Sequence, residues 1–332
     1  MAEQMPIREP NEAKLAYLKR TKGGSHSIGA NTSSSDSLAK RPKLVALLIA
    51  MRPKQWIKNV LVFAAPAAAG KIFDVKIDIE SFLAAVFFIL VSSGLYLLND
   101  CVDIESDRRH PKKRLRPIPA GEISKKTAYV AAAVLLTIGN VLPFFVARYQ
   151  LGVVVVSYSV ITAAYIFYLK QEAVLDIAMV ALGFLLRAMA GGEASNLTLS
   201  NWFLIVASFG SLFMVTGKRY SELIVLGEDA GRHRRTLDVY SKGYLNFIRS
   251  VSAGVTMTAY CLWALDKPTV SNHNALLIEI SIIPFVLAIL RYSLVIEEGM
   301  AGAPEDVVLS DKPLLLLGLL WATALGLGIL VL

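Results

Sequence analysis

The chain has 332 residues, 55% of them hydrophobic, and a mean hydropathy of +0.54. Those values exclude a disordered or disulfide-built chain and fit one that crosses a membrane several times, with its core set by lipid. The net charge is +8, but cytoplasmic loops of membrane proteins collect Lys and Arg on their own account, and no soluble domain presents the charge, so no nucleic acid is expected.

Residues 1–43 are rich in Ser, Gly, Lys and Asn and cannot bury a core; they are expected to form a disordered tail ahead of a membrane domain at 44–332. The tail has no apolar stretch and is not read as a signal peptide. A spanning helix takes about 20 mainly apolar residues. Nine candidates follow, at 55–70, 79–99, 126–147, 149–169, 173–191, 201–217, 244–265, 276–296 and 313–332, the first of them short. The expected fold is therefore an all-α polytopic bundle of nine transmembrane helices.

The loop after the second span holds Arg108, Arg109, Lys112, Lys113, Arg114 and Arg116. The loop after the fourth has Lys170, and that after the sixth has Lys218, Arg219, Arg232, Arg234, Arg235 and Lys242. Opposite loops carry only Lys71, Lys76, Arg148 and Lys267. This bias places the N-terminus and the charged loops in the cytoplasm and the C-terminus outside.

The second span ends in "NDCVDIESD", Asn99 to Asp107. If the helix continues, Asn99, Asp103 and Asp107 lie on one face, about 40° apart per step and about 6 Å apart along the axis. That spacing lets oxygens bracket a divalent ion, and Mg2+ in particular prefers a few carboxylate or amide oxygens together with substrate phosphates. The plainer reading is a solvated helix end balanced by Arg108 and Arg109, but ionisable clusters at membrane depth usually mark function. The basic run "HPKKRLRP" serves orientation or anion binding; Lys113 is its candidate binding residue. Cys101 and Cys261 form neither a metal set nor a disulfide framework, and no HExxH motif, P-loop or Cys–His set appears.

The segment Asn99–Asp107 resembles the NDxxDxxxD motif of the UbiA superfamily of intramembrane prenyltransferases, and Tyr165–Asp176 is similar to that superfamily's YSxxLKxxxxxD, with Ile166 in place of the serine. The resemblance covers most of 44–332. It implies a diphosphate held through Mg2+ on Asn99, Asp103 and Asp107. Ordinary members carry a second aspartate-rich motif; here the corresponding place reads Thr216–Leu223, "TGKRYSEL", with only Glu222 acidic. Cations there suit extra phosphate charge. With "MRPKQWIKN" at 51–59 and the stretch 176–192, the sequence resembles a branch that joins 5-phosphoribosyl diphosphate to a polyprenyl (decaprenyl) phosphate on the way to cell-wall arabinan. The run Leu223–Gly231 distantly echoes a loop of soluble phosphoribosyltransferases, but membrane spans cannot supply the parallel sheet around it.

The resemblance implies roles for single residues: Asn99, Asp103 and Asp107 are catalytic through the metal. Lys58, Tyr96, Asn99 and Lys113 bind the donor, although Lys58 could be a snorkelling anchor and Tyr96 an interfacial aromatic. Lys113, Lys170, Arg187, Lys218 and Arg219 bind the lipid phosphate. Arg187 lies inside a span, where a guanidinium needs an anion or a structural partner such as Glu193; Lys170, Lys218 and Arg219 could instead anchor span ends. The lipid phosphate, already anionic, would attack the anomeric carbon without a strong general base. The alternatives are prenyl transfer to an aromatic acceptor, against which the missing second acidic motif counts, and a transporter or lipid scaffold, for which paired broken repeats are expected and none is seen.

Overall fold

The computed structural model describes residues 41–110, 113–227, 230–266, 272–302, 307–308 and 310–330. The expected tail therefore lies outside the described residues except at 41–43, as do Glu228 and Asp229 of the run 223–231. Among the described residues there is no strand, and the all-α expectation holds. Among the described residues, six segments are long and apolar enough to cross a membrane: 75–102, 125–146, 149–167, 175–195, 276–297 and 312–329. The expected count of nine is not reached on that measure.

The N-terminal region departs most from expectation. Helix α1 (Lys43–Ala50) stops because Pro53 cannot continue it, and Arg52 takes a left-handed conformation, φ 58° and ψ 63°. The chain then runs as an 11-residue 3-10 helix, Pro53–Phe63, before the short α2 (Ala64–Ala68). The expected continuous span over 55–70 is thus mostly 3-10. A 3-10 helix rises about 2.0 Å per residue against 1.5 Å in an α-helix, so sixteen residues reach about 30 Å, the thickness of the hydrocarbon layer. A segment too short for an α-helical span becomes long enough.

Helix α3 (Val75–Val102) begins at Asp74, whose carboxylate accepts from the amides of Lys76 and Ile77 at 3.0 and 3.3 Å. After a break at Asp103, α4 (Ile104–Arg109) follows. Helix α5 (Lys125–Val141) is capped by Ser124 and leads through α6 (Pro143–Val146) to α7 (Tyr149–Phe167). A 3-10 turn, Leu169–Gln171, joins α7 to α8 (Leu175–Ser195). Helix α9 (Asn201–Leu226) is capped by Ser200. Two short helices, α10 (Ala230–His233) and α11 (Thr236–Val239), lead to α12 (Lys242–Asp266), and α13 (Asn272–Ile280), α14 (Ile282–Glu297) and α15 (Lys312–Leu330) complete the chain.

The strongest helix pairs are α3 with α5 and α9 with α12, and α8 lies between these two halves. Its first turns, at Ile177 and Ala181, enter a core with Phe213, Leu245 and Ile296. Its later turns, at Leu186, Ala190 and Ala194, enter another with Val62, Phe88 and Val155. Val130, Val134 and Ile138, one turn apart on α5, stay exposed, as a lipid-facing stripe must.

Helix α9 corrects a second boundary, since its predicted end at Gly217 is continued to Leu226. Lys218 and Arg219 look like a helix end because charge rarely enters lipid. Arg219 is instead only 4% exposed and is satisfied inside the protein, so the helix has no reason to stop there.

Candidate active site at one end of the bundle

The ends of α3, α7 and α9 and the starts of α5, α8 and α12 gather at one end of the bundle, and the charged constellations gather with them. At Asp103 the helix breaks (φ −91°, ψ 9°), yet the amide of Asp103 still donates to Asn99 O at 2.9 Å and that of Asp107 to Asp103 O at 2.8 Å. The register that aligns Asn99, Asp103 and Asp107 is thus kept. Burial separates them. Asp107 is 2% exposed, whereas the side chain of Asp103 is 27% exposed and Asn99 is half-buried.

Each acid meets cations. Lys170, from the 3-10 turn after α7, donates to Asp103. Arg116 Nη1 donates to Asp107 Oδ2 at 2.7 Å and to Asp100 Oδ1 at 3.2 Å, and Lys113 Nζ lies 3.6 Å from Asp107 Oδ1. Arg52 also donates to Asp100, which is 1% exposed. Arg52 reaches it because of the turn before the 3-10 helix: Trp56 Nε1 donates to Ser93 Oγ at 3.1 Å, and Ser93 Oγ donates to Met51 O at 3.4 Å, tying that turn to α3. The Arg52 guanidinium carbon also sits 4.7 Å from the centre of the Tyr96 ring. Three carboxylates thus face four cations.

A second centre forms around Asp176, wholly buried in the first turn of α8. Its Oδ2 accepts from Arg219 Nε at 3.2 Å, Arg234 Nη1 at 3.0 Å and Thr236 Oγ1 at 3.1 Å, and its Oδ1 accepts from the Tyr240 hydroxyl. Arg219 Nη1 also donates to Glu222 at 2.7 Å, and Arg234 Nη1 to the Tyr165 hydroxyl at 3.2 Å. Burial works against the charge of Arg234, but Tyr165, Glu222 and Asp176 more than offset it and hold its pKa above the ordinary value. Burial, and then the bond to Asp176, pushes the Tyr240 phenol up, so it remains a donor.

Of the predicted residues, Asn99, Asp103, Asp107, Lys113, Lys170 and Tyr96 belong to the first centre and Arg219 to the second. Lys218 is half-buried beside Arg219 on α9. Arg187 lies apart, inside the bundle and 6% exposed. Its Nε donates to Asn59 Oδ1 at 2.9 Å, Nη1 to Gly183 O at 2.8 Å and Nη2 to the Tyr158 hydroxyl at 2.7 Å, with Tyr158 also beneath the guanidinium at 4.6 Å. These partners are neutral, and the suggested pairing with Glu193 is not among them. Lys58 Nζ lies 5.9 Å from the Phe184 ring, on the Arg187 side of the molecule. Sequence reasoning passed over Asp100, Arg52, Arg116, Arg234 and the hub role of Asp176. Arg52 and Arg116 stand in quoted motifs, so a signal existed for them; for Asp100 the signal is burial, which no motif carries.

No group of three or more His, Cys, Asp or Glu side chains among the described residues is arranged to hold a metal ion. The donor set of Asn99, Asp103 and Asp107 is one amide and two carboxylates, too few for a complete protein cage. It fits a hard cation that fills its remaining positions with phosphate oxygens.

The UbiA prenyltransferase family profile matches residues 60–305. The chain belongs to the UbiA prenyltransferase family. Within it, the chain is 41% identical over 308 residues to the decaprenyl-phosphate phosphoribosyltransferase of Corynebacterium glutamicum, covering 91% of this chain and 93% of that one. It is 42% identical over 299 residues to the enzyme of the same name from Mycobacterium tuberculosis, covering 88% and 98%. Among solved structures, a UbiA homologue from Archaeoglobus fulgidus bound to GPP and Mg2+ superposes with a TM-score of 0.62 at 16% identity, over 86% of this chain and 100% of that one. That likeness shows the UbiA fold.

Proposed function

We propose that this protein transfers 5-phosphoribosyl from 5-phosphoribosyl 1-diphosphate to decaprenyl phosphate or a similar polyprenyl phosphate, releasing diphosphate, in the supply of cell-wall arabinan precursors. The observation that carries the reading is the facing of Asp103 and Asp107 by Lys170, Lys113 and Arg116 at one end of the bundle, with Lys218 and Arg219 in place of a second acidic motif. Such a surface suits a substrate pair carrying several phosphates. The relatives' shared name points the same way.

In this reading Asn99, Asp103 and Asp107 hold Mg2+, which when bound neutralises charge on the departing diphosphate. Lys113 and Lys170, now paired with Asp107 and Asp103, are within reach of donor or lipid phosphates, and Lys58 and Tyr96 complete the donor side. Lys218 takes the lipid phosphate beside Arg219, whose guanidinium is held by Asp176 and Glu222; Arg187 supports that role from inside the bundle. A lipid phosphate oxygen forms the new bond to the anomeric carbon as the bond to the diphosphate oxygen breaks. No proton has to leave the nucleophile, so the residues' task is to hold two anions close together and in line. The positive-inside bias supports a cytoplasmic active-site end and an external C-terminus, and the reading takes the plasma membrane as the protein's location.

Purified protein supplied with Mg2+, labelled phosphoribosyl diphosphate and decaprenyl phosphate is expected to give labelled lipid and free diphosphate. A prenylated aromatic acceptor formed from a prenyl diphosphate, with no labelled lipid, would overturn the reading.

A further inference from the structure

The residues at 168–176 and 230–240 form a device that neither the motifs nor the relatives' names describe. Val174 has φ 70° and ψ −50°, a strained γ-turn conformation that a β-branched residue almost never adopts unless its surroundings hold it there. The holding group is identifiable. The Val174 amide donates to the Tyr240 hydroxyl at 2.7 Å, and that hydroxyl donates to Asp176 Oδ1. Tyr240 is 4% exposed and Asp176 0%, so water does not compete for either bond.

Both oxygens of Asp176 are filled by protein donors, four in all. Three of them, Arg234, Thr236 and Tyr240, belong to the segment carrying α10 and α11, and the fourth, Arg219, belongs to α9. With four protein donors on a side chain that is 0% exposed, this carboxylate serves the protein's own structure. What it does is fasten the 230–240 segment to the first turn of α8. The same turn region, 168–174, carries Lys170, which reaches across to Asp103. Arg234 closes the arrangement by also donating to Tyr165 in the last turns of α7.

We infer that Asp176 is a positioning residue: it latches the 230–240 segment onto the α7–α8 connection and thereby fixes the turn from which Lys170 faces Asp103. Tyr240 is the bolt, and the strained Val174 is the point that springs if the bolt is removed. Glycine adopts a positive φ without strain, so Val174→Gly makes the turn independent of Tyr240. Asp176→Gly would not, because it also takes from Arg219 and Arg234 the buried carboxylate they share.

The inference relies on the proposed phosphoribosyl transfer for its kinetic readout, so amide hydrogen exchange of the full-length protein is measured beside activity. Tyr240→Phe is expected to speed exchange in 168–174 and to raise the KM for phosphoribosyl diphosphate roughly tenfold, the size of one lost bond to a charged group, with a smaller change in kcat. Adding Val174→Gly to Tyr240→Phe is expected to recover most of that loss. Asp176→Asn is expected to speed exchange in both 168–174 and 230–240. Unchanged exchange in 168–174 for Tyr240→Phe, or no recovery in the double variant, overturns the latch. Should Asp176→Asn fail to fold, the Tyr240–Val174 pair decides alone. Should the wild type show no phosphoribosyl transfer, the functional reading falls and the exchange data still decide the latch.

Discussion

Asp103 keeps about a quarter of its side chain exposed beside Lys170, whereas Asp100 and Asp107, on either side of it, are buried and share Arg116. Removing the charge of Asp103 should therefore cost folding little, because its pair with Lys170 is only partly buried and stays in reach of water, and such a solvated pair contributes about 1 kcal/mol or less. Asp103→Asn is expected to lower the turnover rate by roughly a hundredfold or more, the scale of losing one charged contact to the reacting groups, with a little-changed thermal unfolding midpoint in detergent. Arg116→Ala is the opposite case. It takes from two buried carboxylates the cation they share and leaves Asp100 to Arg52 and Asp107 to Lys113; breaking a buried pair outright typically destabilises by about 3–5 kcal/mol, and those remaining cations, with Arg116 itself 29% exposed, bring the expected loss to about 2 kcal/mol. Equal losses of stability in the two variants would refute this division. The motif made Asn99, Asp103 and Asp107 legible, because their spacing is written in the chain. Asp100 was not legible, since its importance comes from Arg52 and Arg116 closing over it, and they come from segments that only the fold brings together.

Helix ends depend on which groups find partners, and that is where elements were hardest to read. The spans from α5 to α8 appear in the sequence to within a few residues because apolar length alone defines them. The 3-10 stretch Pro53–Phe63 was hidden, as its composition is that of any short span, and the end of α9 was hidden by Arg219, whose partner Asp176 is 43 positions away. The last helix shows the same dependence in a testable form. Asp311 precedes α15; its Oδ1 accepts from the Leu314 amide at 2.9 Å, and both oxygens accept from Arg291, at 3.1 and 2.7 Å. The bonds from Arg291 hold its carboxyl below the usual carboxylate range, burial opposes them, and the Leu314 bond assists. A depressed native value means that the stabilisation is complete above the unfolded pKa of about 4 and is lost as pH falls through the lower native value. Asp311→Asn is expected to reduce stability at pH 7 by about 1 kcal/mol, as for a lost helix cap, and to flatten the acid limb of the stability curve. A variant whose stability still falls as steeply as the wild type's below pH 4 would show that the proton binds elsewhere.

On the scale of the whole molecule, the active-site end is assembled by α8, which packs on one half through Ile177 and Ala181 and on the other through Leu186 and Ala190. Its approach to the 3-10 helix has no slack: a Cβ on Gly191 would lie 1.8 Å from Val62 O, a backbone atom that cannot rotate away. The 3-10 helix carries Lys58 and Asn59 and follows directly on Arg52, so a wedge at Gly191 should be felt both at the Arg187–Asn59 bond and at the Arg52–Asp100 pair. Gly191→Ala is accordingly expected to destabilise by about 1–3 kcal/mol, the usual range for overpacking, and to reduce activity although residue 191 lies some four turns along α8 from Asp176. Gly254→Ala on α12 is the control, for a Cβ there meets nothing within 4 Å; the better helix propensity of Ala should leave stability equal or up to about 1 kcal/mol higher. Thermal unfolding of the two variants in the same detergent checks the contrast. If Gly191→Ala matched Gly254→Ala, the two halves would be joined loosely, and the placing of Arg52 over Asp100 would have to be credited to the Trp56–Ser93–Met51 contacts alone.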